Sequence, residues 1–105
     1  MPAPYRVDIT PSAESDIAEI WDYIAQDSPG YAESFIWKLT EQFETLENFP
    51  ERCQLIAENR ILGTSYRHLI YGHYRTIFRI SAQTVIILRI IHAARLLDSR
   101  LFEIG

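Results

Sequence analysis

All three histidines of this chain (His68, His73, His92) and seven of its ten basic residues lie beyond Asn59, and those seven are all arginines: 60, 67, 75, 79, 89, 95 and 100. Lysine is absent from this half. A guanidinium is permanently charged and presents a rigid fork, so an all-arginine set suits planar recognition of carboxylate or phosphate. Imidazole adds a group that exchanges protons near neutral pH. Anion recognition, with acid–base work as an option, is the chemistry these residue types allow.

Strand parity brings several of them together, because alternate residues of a strand share a face. Arg75 and Arg79 lie on one face of an apolar run. Pairing that run with the next around Gln83 sets Arg79 opposite Ile86, Arg75 opposite Ile90 and His73 opposite His92. The preceding hairpin sets His68 opposite Ile77 and Tyr66 opposite Arg79. The expected result is a partly open basic concavity on one side of a sheet. A slip of one residue in either turn would dissolve it. The competing expectation is that individual arginines are solvated or paired with carboxylates of the acidic half. His92, at a strand end, has two readings: a structural cap or a general base.

Other chemistries find little support. The histidines lack close ligand spacing and have no carboxylate within a few residues, so no metal or other cofactor is expected. Cys53 has only Arg52 beside it, a weak setting for a catalytic thiol. No Gly-rich phosphate loop, G-x-S-x-G elbow or H-E-x-x-H occurs. A single cysteine excludes an internal disulfide framework. No apolar run approaches the roughly 18 residues of a membrane span, and the start lacks a signal-peptide core, so a cytoplasmic protein without membrane partners is expected.

The net charge of −4 conceals a division at Asn59. Residues 1–59 set Arg6, Lys38 and Arg52 against twelve carboxylates, giving −9, whereas residues 60–105 set seven arginines against Asp98 and Glu103, giving +5. At 105 residues and 48% hydrophobic content, the chain should form one domain, 1–105, with a real core.

The elements that must position these groups follow from periodicity. Tyr5–Thr10 alternates as a short strand. Thr10 then caps a helix that starts at Pro11 and runs to about residue 27, with Ala13, Ile17, Ile20, Trp21 and Ile24 as its apolar stripe. Ser28-Pro29 restarts a second helix, reaching about Asn48, with Ala32, Phe35, Ile36, Leu39, Phe43 and Leu46 inward. The short linker implies an antiparallel hairpin. Glu51–Ser65 reads as a loop with one helical turn at most. Strands are expected at Tyr66–Tyr71 and Tyr74–Ile80, joined by Gly72-His73 in a type II′ turn, and at Val85–His92, an apolar run suited to a doubly buried central strand. The tail Ala93–Gly105 suggests a short helix docking Leu96, Leu97, Leu101 and Phe102. The fold class is α+β in the order β-α-α-β-β-β, an antiparallel sheet packed on an N-terminal helical hairpin.

Several segments, in this order and spacing, resemble the ParE branch of the RelE/ParE superfamily of bacterial type II toxin–antitoxin toxins. They are Thr10-Pro11-Ser12-Ala13-Glu14-Ser15-Asp16-Ile17 leading into Ile20-Trp21-Asp22-Tyr23-Ile24, Phe49-Pro50, Tyr66-Arg67, Tyr74-Arg75-Thr76-Ile77-Phe78-Arg79-Ile80, and Ile87-Leu88-Arg89-Ile90-Ile91-His92-Ala93-Ala94-Arg95. Two departures are local: Cys53 stands where a glycine is common, and His92-Ala93-Ala94-Arg95 where His-Gly-x-Arg is common.

The resemblance implies a toxin bound and neutralised by a cognate antitoxin in a hetero-oligomer, with growth arrest and plasmid stabilisation as associated roles. It implies either poisoning of DNA gyrase or, in RelE-like members, ribosome-dependent cleavage of mRNA. For the nuclease it assigns Arg75, His92 and Arg95 as catalytic candidates. RNA binding is poorly served by a pI near 5.3 and by a segment before the meander that is acidic on balance. The gyrase-directed branch is therefore preferred, with no direct sequence-specific nucleic-acid binding expected. A harmless, toxin-derived binding module is the third reading. Arg67, Arg75, Arg79, Arg89, His92 and Arg95 are the expected partner contacts, since an open basic face suits an acidic amphipathic peptide.

Overall fold

The computed structural model describes residues 3–98. Strand β1 (Arg6–Ile9) leads into helices α1 (Pro11–Ala25) and α2 (Pro29–Glu44). Two single 3₁₀ turns, the short strand β2 (Gln54–Leu55) and the one-turn helix α3 (Asn59–Leu62) follow. The meander β3 (Arg67–Tyr71), β4 (Tyr74–Ser81) and β5 (Thr84–His92) comes last. Both helices start as their sequences dictate. The Thr10 hydroxyl accepts the Ala13 N–H at 3.2 Å and the Ser28 hydroxyl accepts the Tyr31 N–H at 3.2 Å, with a proline in each first turn, where a missing N–H costs nothing.

The sheet has the order β1-β5-β4-β3-β2. Its meander is antiparallel as expected, and β1 joins the outer side of β5 in parallel, with the helical hairpin in the crossover between them. The β3–β4 register, with His68 opposite Ile77, matches the expectation. Gly72, at φ 59, opens that hairpin, and a Cβ there would sit 3.2 Å from the Phe35 ring.

One face of the sheet carries Phe78, Val85, Ile87 and Ile90 against Ala13, Ile20, Phe35, Leu39, Phe43 and Leu46 of the helix layer. The opposite face carries Ile77 and Ile91, covered by Ile56 and Leu97. Cover on both sides explains why Val85–Leu88 lacks alternation.

Several expectations need correction. The first helix ends at Ala25 and the second at Glu44, extended only by a 3₁₀ turn at Thr45–Glu47. The middle place in the sheet belongs to β4, with β5 beside it. The segment read as a loop with one helical turn has such a turn at Asn59–Leu62, but it also contributes the unexpected edge strand β2. Between β4 and β5 the register slips by one at a bulge: Arg79 faces Ile86 as expected, but Arg75 faces Ile91, and His92 faces Tyr74 instead of His73. Leu88 is the extra residue. Along a uniform apolar strand no periodicity marks such a slip. The proposed C-terminal helix, with Leu101 and Phe102, lies largely outside the described residues; up to Asp98 the tail is non-helical, Leu97 is buried and Leu96 is exposed.

Candidate functional site

Arg75, on β4, points to the face opposite the helices and is 4% exposed. Its guanidinium forms a two-pronged ion pair with Glu58, which immediately precedes α3. Nη1 also lies 3.2 Å from His68 Nδ1, and Nη2 donates to the Arg95 carbonyl at 2.7 Å. Glu58 in turn accepts the Leu97 N–H at 2.8 Å. One buried ion pair thus joins the α3 segment, the middle of the sheet and the C-terminal tail. The Arg75 contact holds the Glu58 carboxyl down at about 2. Burial, and then the Arg75 charge, push the His68 imidazole down as well. Only Arg75 Nε is left without a partner among the described buried side-chain atoms.

Arg89 is also spoken for. Its Nε and Nη2 donate to Asp16 of α1 at 2.7 and 2.8 Å, and Asp16 also accepts the Ile90 N–H at 2.9 Å. The contact follows from topology. Pairing of β1 with β5 ends at Ile87, and beyond it Asp16 supplies the acceptor that a longer β1 would have provided. Asp16 keeps the Arg89 guanidinium more firmly protonated, against the opposing effect of burial.

Two of the exposed candidates, His92 and Arg95, gather at the far end of β5, whereas Arg79 lies opposite Ile86 near its start. The rings of His73 and His92 stack with their centroids 6.2 Å apart and their planes 4° from parallel, and Tyr74 meets His92 edge-on at 5.9 Å. With Tyr23, Tyr31 and Phe35 these residues line a cleft of about 330 Å³. A neighbouring hollow adds Glu19, Arg89 and Arg95 beside His92. His92 Nδ1 accepts the Ala94 N–H at 3.1 Å, so the neutral ring carries its proton on Nε2. A proton donor beside a cation is what such an arrangement offers an anionic ligand.

The single basic concavity expected from parity is therefore divided. Arg75 and Arg89 are buried in ion pairs. Arg67 is half-buried and donates to the carbonyls of Glu51 and Cys53 at 3.0 and 2.7 Å. Arg79, His92 and Arg95 remain at the surface. Glu58 and Asp16, which decide this division, were not singled out in the sequence. A carboxylate in an acidic half looks solvated, and no local signal marks the two that turn inward. Among the described residues no group of three potential ligands is placed to hold a metal ion, and no helix is long and apolar enough to cross a membrane.

A helical hairpin against one face of a five-stranded mixed sheet defines a small α+β protein. The model of the ParE toxins of the type II toxin–antitoxin system parDE matches residues 7–97, and the chain belongs to that family. Two solved structures share its fold. A chain of the chromosomal ParDE system from P. aeruginosa is 22% identical with a TM-score of 0.67, the match covering 84% of this chain and 95% of that one. A chain of the toxin–antitoxin complex RelBE2 from Mycobacterium tuberculosis is 25% identical with a TM-score of 0.62, covering 85% and 98%. No curated protein matches at a significant level.

Proposed function

We propose that this toxin acts in the cytoplasm by poisoning DNA gyrase and is silenced by an acidic segment of its antitoxin. The observation that carries this reading is the state of Arg75. A ribonuclease needs a cation free to meet the phosphorane charge. The strand arginine assigned to that task lies 4% exposed with its fork closed on Glu58. Inhibition by protein contact makes no such demand. A supercoiling assay with purified gyrase, run beside a ribosome-bound mRNA cleavage assay, tests the proposal. Loss of supercoiling with intact message is expected; truncated message with normal supercoiling overturns it.

The mRNA nuclease is kept as a second reading by one observation, the exposed His73–His92 stack with Tyr74 and Arg95 nearby. Under that reading His92→Ala abolishes cleavage while leaving the fold intact. For the antitoxin, the surface groups Arg79, His92 and Arg95 are the proposed contacts. Arg79→Glu should weaken the complex by about tenfold, equivalent to about 1.4 kcal/mol, and flatten its salt dependence. Unchanged affinity in Arg79→Glu, His92→Ala and Arg95→Ala alike would sink the assignment.

A further inference from the structure

We infer that the cleft at the end of β5 binds a free aromatic α-amino acid, with its ring among the aromatic side chains, its carboxylate on Arg95 and its ammonium on Glu19. This goes beyond the gyrase reading and stands whether or not gyrase is the target. Two hollows meet here. The larger, of about 330 Å³, lies where the start of α2 faces the β3–β4 turn. Its rings follow one another without a break: Tyr31 to Phe35 at 6.2 Å, Phe35 to Tyr74 at 5.7 Å, Tyr74 to His92 at 5.9 Å and His92 to His73 at 6.2 Å. Phe35, 8% exposed, is the floor. Aromatic rings attract one another at such centroid separations beyond the gain from area alone, so a further planar ring is favoured in this hollow, whose size is at the small end of ligand pockets.

The charges of the smaller hollow select what the ring must carry. This hollow, of about 170 Å³, shares Tyr23, Tyr74 and His92 with the first and adds Glu19 and Arg95. Arg89 and Asp16 also line it, but their forks are closed on each other and their charges cancel. Glu19 and Arg95 are exposed, and neither has an ion-pair partner among the described residues. A phosphate dianion would set its second charge against Glu19 with no cation left to meet it, and a bare amine would leave Arg95 unanswered. A zwitterion answers both. Where the hollows meet, His92 Nε2–H and the Tyr74 hydroxyl, which burial and then Tyr23 keep more firmly protonated than usual, add two donors for the carboxylate.

Calorimetric titration of the full chain, with no gyrase or antitoxin present, tests this. L-Phenylalanine should bind saturably. Three analogues dissect it: 3-phenylpropionate keeps the ring and carboxylate, phenethylamine keeps the ring and ammonium, and L-alanine keeps the zwitterion without the ring. Each should bind at least about tenfold more weakly, and adenosine monophosphate should bind no better than they do. Arg95→Gln should weaken phenylalanine binding by about tenfold or more. Glu19→Gln should weaken phenylalanine but not 3-phenylpropionate, a selectivity that a merely structural role for Glu19 would not produce. Both side chains are exposed, so thermal melting of the two variants should match the parent. The inference is overturned if phenylalanine gives no saturable heat, if 3-phenylpropionate or adenosine monophosphate binds as tightly as phenylalanine, or if both variants bind phenylalanine like the parent.

Discussion

Asp16 and Arg89, 73 residues apart, meet through two charge-assisted hydrogen bonds in the protein interior, so the first helix is stitched to the last strand by charge as well as by packing. Removing one partner of a buried ion pair strands the other, at a typical cost of about 3–5 kcal/mol. Asp16→Ala should lower the denaturant midpoint accordingly. Replacing both residues with apolar ones of similar volume should restore most of the loss. Equal damage from the single and double variants would contradict this account.

The Glu58–Arg75 pair predicts acid sensitivity. The Glu58 carboxyl titrates at about 2 in the fold against 4.5 ordinarily. Its contribution is therefore complete above about pH 4.5 and is lost as pH falls toward 2. The shift corresponds to about 3 kcal/mol. His68 adds in the same sense, because its depressed basicity lets the unfolded chain take up a proton first below 6.5. Urea midpoints measured from pH 7 to pH 2 should fall for the parent and fall less steeply for Glu58→Gln, which should already be weaker at pH 7. Parallel profiles would show that the pair does not govern acid stability.

Two turn positions should respond in opposite directions. Gly72→Ala meets both a positive φ and the Phe35 ring, and should lower stability by about 1 kcal/mol or more. Ala82, at φ 54 in the β4–β5 turn, bears the penalty that glycine avoids. Ala82→Gly should raise stability by about 0.5–1 kcal/mol, relief of the strained φ outweighing the added chain entropy. Thermal melting of the two variants checks both signs.

Cys53 is 7% exposed, and burial raises its thiol above the ordinary range despite Arg52 and Arg67 nearby. The thiolate is the reacting species. A thiol-specific chromogenic reagent should therefore react far more slowly with the native protein than with the protein in denaturant. Equal rates would show that the segment around Cys53 opens readily.

The helical hairpin, the meander and both helix starts were legible because each has a local cause. Thr10-Pro11 and Ser28-Pro29 cap, apolar residues recur at three and four, and Gly72 supplies a positive φ. The family resemblance drew on the same local patterns. The short β2 and the parallel docking of β1 were not legible, since neither two residues nor four carry the identity of their neighbour.

By itself the sequence determined the two long helices, the first strand and the meander, their order, and the partition of charge into an acidic half and an arginine-rich half. The tertiary structure alone decided what those charges do. The bulge at Leu88 shifts half of the β4–β5 register by one residue and moves His92 from His73 to Tyr74. Glu58 and Asp16, drawn from the acidic half, withdraw Arg75 and Arg89 from the surface. Net charge is additive along a chain and can be counted. Whether a given charge meets solvent, a partner or its own counter-ion depends on contacts between residues far apart in sequence, which exist only once the sheet has closed on the hairpin.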